Sequence, residues 1–210
     1  MSINMTTKLA GLGNFKAITR RVAIGTFLGL AWGASLRAWM ALLALKFEEP
    51  PQFTWNGTFG AVLLPTALVG AMLGGAIYVA ETSDRKRWRW ATLLPLLLVL
   101  GPAIVTDDFL SILVTTGMGG GAIGVALIGL LGGYAFSGFG ALWTRWVSGL
   151  LSLFFILGAV YGVYFSAGSA TVTPGGSEVF GALLFVLLMA LLITGVSAPS
   201  RYGFSQHISS

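Results

Sequence analysis

A chain of 210 residues that is 56% apolar and only 9% charged cannot close as an ordinary soluble domain, where about a quarter of residues are charged. With no cysteine and a single histidine, His207, it has no means of building disulfides, thiolate metal sites, iron–sulfur clusters or histidine-ligated haem. The net charge of +5 calls for no nucleic acid, since basic residues collect at the cytoplasmic face of membrane proteins against an anionic leaflet.

Taken in chain order, residues 1–21 form a basic segment. Leu9, Leu12, Phe15 and Ile18 recur among Lys8, Lys16, Arg20 and Arg21, the pattern of a short interfacial helix on the cytoplasmic surface. The apolar stretch that follows runs past Arg37 to Leu45, too far for a signal peptide, so the segment is expected to be retained. Six apolar runs of about the length a bilayer demands then lie at 22–45, 59–80, 91–106, 120–143, 147–166 and 179–198. Pro199 is expected to end the last, leaving 199–210 as a tail.

The loops orient these runs. With the N-terminus inside, Lys8, Lys16, Arg20, Arg21, Arg85, Lys86, Arg87, Arg89, Arg145 and Arg201 are all cytoplasmic. The outer loops then hold Lys46 against Glu48, Glu49, Asp107, Asp108 and Glu178. The expectation is an all-α, polytopic transmembrane bundle of six spans over 22–198, with both termini inside. Trp88, Trp90, Trp143 and Trp146 at inner span ends, and Trp55 in the first outer loop, suit the headgroup levels.

Within the first span, Gly25, Gly29 and Gly33 are spaced by four and Arg37 continues the series, so one helix face carries three glycines and an arginine. Such small residues permit close approach of another backbone. Arg37 lies nine residues, about 13 Å, from the end of the run. There it costs at least about 2.5 kcal/mol unless paired or hydrated. Asp107 and Asp108 are its expected partners. Two roles stay open, a structural ion pair and an anion or headgroup site. Further glycine pairs at 70/74, 120/124, 129/133 and 158/162 read as packing devices.

Phe109 to Trp143 is too long for one span and too short for two. Gly117, Gly119, Gly120 and Gly121 interrupt it and suggest a broken helix around 109–121, either re-entrant or lying on the surface. No acidic residue, lysine or histidine falls inside any run, which argues against hydrolase, metalloenzyme and Schiff-base chemistry. No enzyme, metal or cofactor is expected.

Arg37-Ala38-Trp39-Met40 followed by Phe53-Thr54-Trp55-Asn56-Gly57-Thr58 resembles a pattern in uncharacterised multi-spanning bacterial membrane proteins, over about a tenth of the chain. The resemblance implies a bacterial inner membrane and draws attention to Trp39 and Trp55 beside Arg37. It carries no activity. Two functions follow as expectations. One is an accessory or scaffold subunit that contacts lipid and either other subunits or its own copies. The other is a small solute or anion transporter or channel near Arg37 and the Gly117–Gly121 hinge.

Overall fold

The computed structural model describes residues 3–46, 53–82, 87–105, 120–164 and 176–205, and among them every regular element is helical. Helix α1 is Ile3–Lys46, and α2 is π-helical over Asn56–Leu63 and α-helical over Leu64–Thr82. Helix α3 starts as a 3₁₀ coil over Arg87–Leu96 and continues as α over Leu97–Val105. Then come α4 (Gly120–Phe136), α5 (Leu142–Tyr164) and α6 (Gly176–Ser205). Among the described residues four helices are long and apolar enough to cross a membrane, over Asn14–Ala44, Asn56–Thr82, Leu142–Gly162 and Glu178–Arg201. Trp90–Val105 and Gly121–Phe136 are shorter apolar helices.

Three boundaries differ from the sequence expectation. Helix α1 runs unbroken through Arg20 and Arg21, because nothing between the basic segment and the apolar run interrupts helical backbone. The run expected over 120–143 stops at Phe136. Gly138 (φ 82°) and Gly140 (φ 80°) take the left-handed conformation and turn the chain within five residues, a reversal that hydropathy does not register. Pro199 does not end α6; it sits buried inside the helix, which continues to Ser205. Around it the Ser197 hydroxyl donates to the Thr194 carbonyl at 3.1 Å, and the Ser200 hydroxyl to the Ser197 carbonyl, so both flanking hydroxyls are bonded within their own helix.

Pro65 has an analogous effect on α2. It offers no N–H to the Ala61 carbonyl, and the turns before it widen into the π segment, where the Leu64 N–H reaches the Phe59 carbonyl five residues back. Gly101 of α3 approaches that Ala61 carbonyl so closely that a Cβ there would lie 2.4 Å from the oxygen.

Helix α6 is the axis of the bundle and touches each of the other five helices. Met189, Val196, Leu188 and Phe185 are its most deeply buried apolar side chains. Two tryptophans on α1 set its height. Trp32 Nε1 donates to the Leu188 carbonyl at 2.8 Å and Trp39 Nε1 to the Gly181 carbonyl at 3.1 Å, seven residues apart on each antiparallel helix. At one end of the bundle Arg21 pairs with Glu81 at 2.7 Å, Arg145 Nε donates to the Ala135 carbonyl at 3.0 Å, and Arg201 lies over the Phe136 ring. Arg37 lies at the other end.

Candidate functional site

The site begins with the start of α2. Thr54 receives two N–H groups there, Gly57 N on its hydroxyl at 3.1 Å and Thr58 N on its carbonyl at 2.9 Å. This cap fixes Thr58, which is buried, beside α1, where Arg37 Nε donates a long hydrogen bond to its Oγ1 at 3.4 Å. Arg37 is therefore level with the first turn of α2, and α1 extends beyond α2 at this end. Exposed Trp55 stacks on Phe59 at 5.1 Å with Phe53 against both, an aromatic group at the same level.

Inward from Arg37 lie two contiguous cavities of about 290 and 440 Å³. Met40, Ala61, Val62, Pro102, Gly121 and Ala122 wall both of them, and Arg37 and Gly57 line the smaller. The larger is an apolar chamber reaching toward the bundle centre, past Trp32 and Leu36 of α1, Leu98 of α3, Ile128 of α4, Phe154 of α5 and Phe185 of α6. Its polar wall groups are committed elsewhere. The Thr66 hydroxyl donates within its own helix to the Val62 and Leu63 carbonyls at 3.0 Å each, and both indole N–H groups serve α6. The space is suited to hydrocarbon rather than to a hydrated ion.

The chamber exists because α4 and α5 diverge. Near their connecting turn they are tied by Tyr134 Oη and Thr144 Oγ1 at 3.1 Å, and further along by Ser152 Oγ donating to the Ile128 carbonyl at 3.1 Å. Beyond that point a Cβ placed on Gly121, Gly124 or Gly158 would meet nothing within 4 Å. In the chamber wall, Phe154 is 67% exposed and Gly121 is also exposed, so the gap between the two helices opens sideways.

The residues singled out by the sequence divide into three groups. Gly25, Gly29 and Gly33 face Gly70, Thr66 and Gly74 of α2, so their stripe is used inside the chain. Trp39 stacks on Phe185 at 4.7 Å and ties α1 to α6, while Trp55 is 72% exposed. Asp107, Asp108, Gly117 and Gly119 lie outside the described residues; Gly120 opens α4 and Gly121 lines both cavities. Sequence reasoning missed Thr58 and the chamber. Thr54 four residues before Thr58 was a readable cap signal, but no periodicity announces a divergence of two helices.

Among the described residues no three histidine, cysteine or acidic side chains come together as a metal site would require. Compared with known proteins, the chain matches no family model, no curated protein and no solved structure. Its class therefore rests on the fold: among the described residues every regular element is helical and four helices are able to cross a membrane by length and composition, which fits a membrane protein.

Proposed function

We propose that this is a non-catalytic, multi-pass integral membrane protein that serves as an accessory or scaffold subunit of a larger membrane assembly. The observation that carries the reading is the contrast between α5 and the glycine faces. The α1 stripe is covered by α2, and Gly129, Gly132 and Gly133 of α4 are filled by Leu192, Ile193 and Val196 of α6, so those faces are not docking surfaces. Helix α5 packs chiefly on α4, and only 11% of its apolar window is buried against 39% for α6. Its outward face presents Trp143, Trp146, Leu150, Leu153, Leu157 and Tyr161, an aromatic-rich apolar surface of the kind that supplies interface anchors. In this reading the six helices are six spans of a bacterial inner membrane with both termini inside, supported by the basic residues gathered at one end.

Mild-detergent purification with mass spectrometry of co-purifying chains tests it. A defined partner should accompany the wild type and be lost from the Leu150→Ala, Leu157→Ala double variant without loss of folding. A wild type that purifies alone overturns the subunit reading. Cysteines at Ser2, Asp84 and Ser209 should resist impermeant thiol reagents in whole cells, and one at Gly175 should react. Labelling at Asp84 from outside rejects six spans. A second reading, an anion path near Arg37 and Gly121, is favoured by the cavity that both residues line. It requires wild-type anion flux in liposomes that Arg37→Leu abolishes.

A further inference from the structure

We propose that the chamber and its Arg37 rim hold one anionic phospholipid of the surrounding bilayer, with an acyl tail between α4 and α5 and the phosphate at Arg37. The inference goes beyond the subunit reading and stands whether or not a partner protein exists. It assumes only that the helices lie in a membrane.

Four observations converge on this ligand. The chamber's volume of about 440 Å³ falls within the range of small-molecule sites, and its wall is apolar apart from groups already hydrogen-bonded elsewhere. Its opening faces sideways, past exposed Phe154 and Gly121, so a two-tailed lipid can insert one tail and leave the other in the bilayer. A site closed to the side would instead select a single-chain molecule. The smaller cavity continues the chamber to Arg37, placing a cation at one end of a hydrocarbon-lined space. Arginine's planar fork of donors matches phosphate oxygens, and the Arg37–Thr58 contact holds it at the rim. Finally, the rim is level with the first turn of α2 and the Phe53, Trp55 and Phe59 group, the height at which aromatic side chains meet headgroups.

The experiment is native mass spectrometry of the full chain, exchanged into detergent and titrated with dioleoyl phosphatidylglycerol, dioleoyl phosphatidylcholine and, separately, oleate. The expected result is one tightly retained phosphatidylglycerol per chain. Arg37→Gln should weaken that retention by about tenfold, the loss of a charge-assisted hydrogen bond to the phosphate, and narrow the preference for phosphatidylglycerol over phosphatidylcholine, whose choline cation already offsets the same phosphate. Gly124→Phe and Gly158→Phe put a ring into the chamber from positions where a Cβ meets nothing within 4 Å, so both should fold and both should lose the lipid. Thermal unfolding verifies that each is folded, and either one suffices. Undiminished phosphatidylglycerol retention in a folded phenylalanine variant overturns the site. Equal retention of phosphatidylcholine by the wild type, or undiminished phosphatidylglycerol retention in Arg37→Gln, overturns the role of the rim. Oleate bound where phosphatidylglycerol is not would assign the chamber to a free fatty acid and reject the bilayer phospholipid.

Discussion

The α1–α2 pair and the α4–α5 hairpin are both antiparallel and rich in glycine, yet one is closed along its length and the other diverges. On α1 Gly25, Gly29 and Gly33 each meet a small or backbone group. A Cβ on Gly25 would lie 2.2 Å from the Gly70 carbonyl oxygen and one on Gly29 equally near that of Thr66. On α4, Gly129, Gly132 and Gly133 face branched side chains of α6, and Gly121 and Gly124 face open space. A glycine at four-residue spacing thus signals contact between backbones only when the opposing helix is also small along that line. Opposite leucine or isoleucine it is a socket, and with no opposing helix it becomes the wall of a cleft.

The largest test of this contrast is Gly29→Leu. Its side chain would enter the Thr66 backbone, which cannot rotate away as a side chain could, so the cost should exceed the roughly 1–3 kcal/mol of ordinary overpacking. Differential scanning fluorimetry in detergent should show a fall in Tm of about 10 °C or more. An unchanged Tm would mean that α1 and α2 are not in backbone contact. Trp39→Phe is the intermediate case. It keeps a ring against Phe185 but removes the donor to the Gly181 carbonyl, a loss of about 1 kcal/mol and a fall of about 2–4 °C. Trp32→Phe should behave alike through Leu188. The smallest effect belongs to Gly124→Ala and Gly158→Ala, within about 0.5 kcal/mol of wild type. A destabilisation there comparable to that of Gly29→Ala would show that α4 and α5 close on each other in solution.

Much of this architecture was legible in the sequence, for reasons that can be named. Apolar runs mark helices because each must satisfy its backbone internally, and each of the six runs overlaps a helix, though not all share its bounds. The Gly25, Gly29, Gly33 stripe was readable as a close-approach face because four-residue spacing repeats on one side of a helix. Its partner was not, since the spacing of one helix says nothing about which other helix is small. The choice of α6 as the axis left a trace, the highest mean hydropathy among the four long helices, as suits a helix apolar on all sides. Counting residues from the end of its own run placed Arg37 along α1, but the Thr58 hydroxyl beside it was not legible, because a run says nothing about where neighbouring helices begin. Pro199 misled because a proline ends an isolated helix, whereas here it is buried inside a helix that packing carries on to Ser205.

The 3₁₀ coil at the start of α3 has a consequence for length. A 3₁₀ helix rises about 2.0 Å per residue against about 1.5 Å for α, so it lengthens a segment without adding residues. As a pure α-helix the apolar stretch Trp90–Val105 would measure about 24 Å; with Trp90–Leu96 in the tighter coil it measures about 28 Å, close to a hydrocarbon core of about 30 Å. In the six-span reading proposed above, the stretch that looks too short to reach across a bilayer is therefore drawn out almost to the required thickness. In that reading, converting the coil to α would shorten α3 by several ångströms and leave a mismatch for the membrane to absorb by thinning around the protein.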